Sequence, residues 1–197
     1  MAWVASPSPG AKSRIYAQRV SADGALAEGD ALQLGSEGPG TATQSQPTIT
    51  SGSGSVGVAC WLSTAIKSGK AKKGVGCQLF AQSTLEVIGG VFEAHDEQAT
   101  GDFLEPSVIR LQNGYFAVAF QLEDVDGDAH GVQVQRFSDS GIFAGTRVVA
   151  NRTWLGDQTK PFLVPLVGAG VPFIVGWESV EPEMSEADVI FRVLKAE

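Results

Sequence analysis

The sequence predicts an all-β protein: a four-stranded antiparallel unit of about 58 residues, repeated about three and a half times in a β-propeller-like arrangement. Three observations carry this expectation. Bulky aromatics close short apolar segments at Trp3, Trp61, Phe120 and Trp177, at one nearly constant interval. A segment centred on glutamine follows each of the first three rings, at Gln18, Gln78 and Gln135, and Phe191 takes that place after the fourth. A proline opens a third kind of segment at Pro47, Pro106 and Pro161, again with nearly the same separation. Independent markers in fixed order at one period are the signature of a repeat.

Each unit runs from a proline strand through an aromatic strand and a glutamine strand to a looser fourth strand. The proline is expected at the start of its strand, where a missing N–H matters least. Residues 56–61, 115–120 and 171–177 are apolar at nearly every position, so both faces of these strands are expected to be covered. The glutamine strands alternate. Val132 and Val134 share one side and Gln133 and Gln135 the other. Residues 31–34, 87–93 and 145–150 form the fourth strands. Asp23-Gly24, Asn113-Gly114 and Ser140-Gly141 supply turn residues that permit positive φ. Ser185 to Asp188 reads locally as a capping box opening a helix, but the repeat register makes 189–193 a strand. Residues 1–197 form one repeat-built domain with units at approximately 1–46, 47–105, 106–160 and 161–197. The terminal units are incomplete, as in a piece of a longer array or in units covered by a partner.

Composition narrows the function classes. Apolar residues make up 43% and charged residues 18%, which is globular composition. The net charge of −8 repels phosphate backbones and argues against nucleic acid. No stretch approaches the ~20 apolar residues of a membrane span. The first six residues lack the basic and apolar regions of a signal peptide. Cys60 and Cys77 read as two small buried thiols, with one bridge across a hairpin as the other arrangement.

Residues 15–24, Ile-Tyr-Ala-Gln-Arg-Val-Ser-Ala-Asp-Gly, resemble the tandem "IYAQRFDADG"-type β repeat of large bacterial surface and secreted proteins and some protist proteins. The resemblance spans nearly the whole chain. It is closest at 14–24 and 105–141 and worn at 189–193. It implies a four-stranded blade-like unit, an extracellular or surface setting and no enzymatic activity.

Candidate functional residues fall in three groups. The aromatic-to-glutamine connections carry Lys67, Lys70, Lys72 and Lys73 in one unit, and Glu181, Glu183 and Glu186 in another. On one edge of the assembly, such opposed charges would steer self-association or docking of a protein partner. Asp124, Asp126 and Asp128 alternate as oxygen ligands do around Ca²⁺. An EF-hand is excluded, because Ala129 and Gln135 stand where glycine and glutamate are needed, so a looser β-loop calcium site is the remaining metal reading. No other cofactor is expected. Trp154 stands outside the repeat register and is the candidate ligand contact, with its neighbours Asn151 and Arg152. Asn151 to Thr153 also fits a glycosylation acceptor.

Catalytic patterns are absent. His95 and His130 belong to no Ser/His/Asp or metal motif, and there is no G-x-S-x-G or phosphate-cradling loop. Propeller glycosidases need an arginine cluster or carboxylate pair on a central face, which a sequence does not place. The expectation is therefore a non-enzymatic structural or interaction module, assembling or adhering through blade loops and strand edges. The alternatives are a lectin-like carbohydrate-binding propeller and a calcium-stabilised surface repeat.

Overall fold

In a computed structural model of the chain, the described residues are 1–6, 8–27, 29, 31–35, 42–52, 54–67, 70–95, 101–123, 127–152, 155–182 and 186–196. Among these residues, fourteen strands run in sequence order: β1 (Ala2–Ala5), β2 (Arg14–Ala17), β3 (Leu32–Leu34), β4 (Thr43–Thr50), β5 (Val56–Lys67), β6 (Lys70–Ala81), β7 (Val87–Glu93), β8 (Phe103–Arg110), β9 (Phe116–Glu123), β10 (His130–Phe137), β11 (Phe143–Val149), β12 (Asp157–Pro165), β13 (Pro172–Val180) and β14 (Asp188–Lys195). They form four antiparallel sheets, β1-β2-β3, β4-β5-β6-β7, β8-β9-β10-β11 and β12-β13-β14. Among the described residues there is no helix, and hence none long and apolar enough to cross a membrane. The all-β, propeller-like expectation holds, as does the strand assigned over 189–193.

The sheets stack in sequence order through three apolar interfaces. Ile15, Ala17 and Leu34 of the first sheet meet Ala59, Trp61 and Phe80 of the second. Val58, Cys60 and Cys77 of the second meet Phe103, Phe120 and Phe137 of the third. Ala117, Ala119 and Val134 of the third meet Phe173, Val175 and Trp177 of the fourth. One rule generates all three. The recurring ring points back at the preceding sheet, and the residue before it, on the opposite face by strand alternation, points forward. Trp61, Phe120 and Trp177 are accordingly 1%, 0% and 4% exposed. Trp3 has no preceding sheet and lies half-buried, stacked on Tyr16 at 6.0 Å.

The inner strands β4, β8 and β12 carry a device that the sequence reading misplaced. Their prolines do not begin the strands. Each sits mid-strand at a register shift, between Ser45 and Thr48, Leu104 and Ser107, and Thr159 and Phe162. A bulge suits proline because its missing N–H falls where the ladder is already interrupted. The preceding residues Gln46, Glu105 and Lys160 each take φ of 50°. That is a strained conformation ahead of proline, costing roughly 1–3 kcal/mol each. Hydrogen bonds between sheets hold it. The Glu105 N–H donates to Gln46 Oε1 at 3.3 Å, and the Lys160 N–H donates to Glu105 Oε2 at 2.8 Å. A similar stitch recurs beyond each proline, where Val108 N–H donates to Thr48 Oγ1 and Leu163 N–H to Ser107 Oγ. Inner-strand amides that no neighbouring backbone reaches are thus satisfied by side chains of the previous sheet.

Two further expectations change. Cys60 and Cys77 are not separate thiols but a disulfide, because they are direct cross-strand partners with Cα atoms 4.1 Å apart. Phe191 does not hold the glutamine position. Ile190 lies opposite Trp177 as Gln133 lies opposite Phe120, which puts Arg192 in the place of Gln135 and turns Phe191 to the other face. Arg192 behaves accordingly. Its Nη1 donates to Ala150 O at 3.2 Å, at the end of the previous sheet's outer strand. Gln78, in the same register position, reaches the corresponding place and accepts from the Gly35 N–H at 2.9 Å.

Candidate functional site

The structure places the charged loop residues on different sheets and gives Lys73 a structural partner. Lys67 and Lys70 are not in a loop at all; they pair across the tip of the long β5–β6 hairpin, and their side chains lie outside the described residues. Lys73 bonds Asp102, with Nζ 3.3 Å from Oδ2, and so ties the second sheet to the entry of the third. Lys72, Glu181 and Glu186 are exposed, and Glu183 is outside the described residues. Asp124 and Asp126 are likewise outside them. Asp128 is committed to backbone. Its Oδ1 accepts from the Ala129 N–H and its Oδ2 from the Gly156 N–H at 2.9 Å. Both histidines bridge neighbouring sheets. The His95 ring stacks on Phe103 at 3.8 Å, and His130 Nδ1 lies 2.7 Å from Asp157 Oδ1.

Asn151 and Arg152, by contrast, reach a concave site. Residues 150–152, just beyond β11, face β13 and β14 across a cavity of about 380 Å³. Its walls include Arg152, Trp177, Ser179, Ile190 and Arg192. Asn151 is a structural clamp in this wall. Its Oδ1 accepts from the Val132 N–H at 3.0 Å, and its Nδ2 donates to Gln158 Oε1 at 2.9 Å. Gln158 is wholly buried and donates in turn to the carbonyls of Leu155 and Gly156. This network fixes the rim, so the groups left to meet a ligand are Arg152 (exposed), Ser179 and Arg192. The Arg192 guanidinium is oriented by the Val149 and Ala150 carbonyls. No carboxylate is among the described residues of the wall, so the cavity is electropositive although the chain is acidic. Trp177 adds a buried Nε1–H with no hydrogen-bond partner among the described residues, a rare state for an interior donor. Trp154 lies outside the described residues.

A second cluster lies at the inner strands β8 and β12 and the adjoining β13, and the sequence reading did not assemble it. Lys160 Nζ pairs with Glu178 Oε2 at 2.8 Å, while the Lys160 N–H is taken by Glu105. The hydrogen bond that the ammonium donates to Glu178, and then the charges of Glu178 and Glu105, raise the Lys160 ammonium above the ordinary lysine value. The three residues come from β8, β12 and β13, united by the stacking of β8 on β12 and the pairing of β12 with β13. The one sequence signal was the shared position of Glu105 and Lys160, each directly before its unit's proline.

No protein-family model matches the chain, and no curated protein matches it in sequence. Its three-dimensional structure is similar to several solved ones. An N-acetylgalactosamine deacetylase from F. plautii, in complex with blood group B trisaccharide, aligns at 12% identity and a TM-score of 0.51, covering 98% of this chain and 66% of that one. An endo-arabinase from Bacteroides thetaiotaomicron aligns at 14% identity and a TM-score of 0.52, covering 99% and 75%. A thermostable family-43 glycoside hydrolase aligns at 12% identity and a TM-score of 0.52, covering 94% and 68%. The chain therefore spans about two thirds of the deacetylase chain. The likeness establishes the propeller-like fold. It also corrects the expectation of a non-enzymatic assembly module, since the proteins named as sharing this architecture act on carbohydrates.

Proposed function

We propose that the chain is a carbohydrate-active β-propeller module that holds a saccharide in the cavity between its third and fourth sheets. The observation that carries this reading is the cavity itself. It is concave and partly apolar, and a few polar groups converge on it, as ligand sites generally combine. The apolar wall suits the C–H face of a sugar ring. Arg152 and Arg192 present planar, multiply donating cations that suit hydroxyl and carboxylate oxygens. The carbohydrate-acting enzymes of similar fold support the substrate class. The buried disulfide fits an oxidising compartment such as the cell exterior.

The test is calorimetric titration with arabino-, xylo- and galacto-oligosaccharides and with uronic-acid oligomers. Arg152→Ala is expected to weaken binding at least tenfold, and the uronates are expected to bind best. No saccharide bound at millimolar concentration, or binding indifferent to Arg152→Ala, refutes the site.

A second reading, catalysis at the inner rim, is favoured by the Glu105–Lys160–Glu178 cluster. Glu105 accepts from the Lys160 backbone N–H and Glu178 from its ammonium, which brings two carboxylate residues to one lysine, and a carboxylate pair is what acid–base cleavage of a glycosidic bond requires. Glu178→Gln is expected to lower release of reducing sugar by roughly 10²–10⁴-fold while cavity binding persists. Unchanged turnover in that variant overturns this assignment.

A further inference from the structure

One position of the repeat changes its chemistry in the fourth sheet. Two residues after the cross-strand partner of each recurring ring stand Gln18, Gln78 and Gln135, and then Arg192. The glutamines spend their amides on backbone. Gln18 Nε2 donates to the Ala27 carbonyl, Gln78 accepts from the Gly35 N–H and donates to the Gly89 carbonyl, and Gln135 Nε2 donates to the Arg136 carbonyl. An arginine in that place can only donate, and it brings a permanent charge.

Arg192 uses one nitrogen for the same structural purpose. Its Nη1 donates to the Val149 and Ala150 carbonyls at 3.5 and 3.2 Å, which orients the guanidinium. Nε and Nη2 have no partner among the described residues, and neither is sealed from solvent. Together they form the side-on edge of the guanidinium, whose parallel N–H groups match the two oxygens of a carboxylate. The residue lines the cavity beside Ile190 and Val193, so its unused edge belongs to the site.

The surrounding charges leave that end of the cavity to an anion. No carboxylate is among the described residues of the wall. Glu178 is turned to the opposite face of β13 from Trp177 and is paired with Lys160. Glu181, Glu186 and Asp188 are exposed and lie level with Ser179 or beyond it. Ser179 is four residues along β13 from Val175, the partner of Arg192, which is about 13 Å at about 3.3 Å per residue. That exceeds the screening length of roughly 8 Å at physiological ionic strength.

We infer that Arg192 is the specificity-determining residue of the cavity, taking the carboxylate of a uronic acid unit side-on through Nε and Nη2. The inference rests on the saccharide reading above and adds the residue that decides between acidic and neutral sugars.

Calorimetric titration of the wild type, Arg192→Gln and Arg152→Ala with digalacturonate and with its methyl ester tests it. The ester keeps the sugar and removes only the charge. The wild type is expected to prefer the acid at least tenfold. Arg192→Gln installs the residue that the other three sheets carry, with far-UV circular dichroism as the check on folding, and is expected to bring the preference within twofold of unity. Arg152→Ala is expected to weaken both ligands and to keep most of the preference. Should Arg192→Gln fail to fold, the wild type decides alone: the acid must outbind the ester and must shift the indole N–H resonance of Trp177, which stands in the cavity wall. A wild type that binds acid and ester equally overturns the inference and spares the saccharide reading, as does a preference that survives Arg192→Gln. Binding of neither ligand, nor of any neutral oligosaccharide, overturns both.

Discussion

Replacing each recurring ring by alanine measures the stacking rule directly. Trp61, Phe120 and Trp177 are nearly or wholly buried between sheets, whereas Trp3 is half-buried on an end face. An aromatic side chain hides about 150–250 Å², which at about 25 cal/mol per Å² is worth about 4–6 kcal/mol. That figure is an upper bound, because the unfolded chain already hides part of the surface. Measured truncations of buried rings cost about 3–5 kcal/mol. Phe120→Ala also loses the edge-to-face contact with Phe103, whose centroid is 5.5 Å away, and belongs at the upper end. Trp3→Ala is expected to cost about 1 kcal/mol, within the ordinary spread of point substitutions. In a domain of this size, about 4 kcal/mol corresponds to a melting-point loss of roughly 8–16 °C. Urea titration at low protein concentration, followed by far-UV circular dichroism, reads the difference as a shift of midpoint at constant slope. Equal losses at Trp3 and Phe120, or a loss at Phe120 below about 1 kcal/mol, refute the claim that these rings occupy equivalent buried sites in successive interfaces.

Three other outcomes follow from the geometry. The Cys60–Cys77 bridge spans 17 residues, so the double serine variant is expected to lose about 3 kcal/mol; equal urea midpoints for variant and wild type would contradict that. A Cβ at Gly57 would lie 2.6 Å from Phe80 Cε2, and Phe80 is buried and cannot swing away. Gly57→Ala is therefore expected to cost about 1–3 kcal/mol by overpacking, and Gly176→Ala less, since the half-exposed Phe162 over it can turn to solvent; the reverse ranking in thermal melts counts against this packing. Glu178 raises the Lys160 ammonium above its unfolded value, so the pair's contribution is complete below about pH 10.4 and fades as pH rises through the folded value. Lys160→Met is expected to flatten the stability profile above that pH and to leave its slope, though not its level, unchanged near neutrality, and a profile of unaltered slope throughout argues against the pair.

The repeat was legible because its markers are local. Alternation in residues 132–136 and the continuous apolar run at 116–120 are properties of single strands, and both strands form where the pattern puts them. The prolines show where local reading stops. Strand chemistry alone places Pro47, Pro106 and Pro161 at a beginning, yet the strands extend past them, because the bulge is held by Gln46 and Glu105 side chains reaching the next sheet. Arg192 was hidden for a related reason. A one-residue slip in assigned register exchanges the faces of a strand, and only the pairing of Ile190 with Trp177 corrects it. Arg152 entered the candidate ligand contacts only as a neighbour of Trp154, which stood outside the repeat register, and its other neighbour Asn151 bonds Val132 and Gln158 in the cavity wall.

Residue order by itself determined the period and the strand character of each segment, since each depends on side-chain size and alternation within one unit. The pairing of strands and the stacking of units decided the rest: the disulfide, the cluster of Glu105, Lys160 and Glu178, the cavity beyond β11 and which of the recurring rings are buried. Each of these joins residues on different strands or sheets. Their meeting is set by sheet registration and packing distance, quantities that no single segment carries.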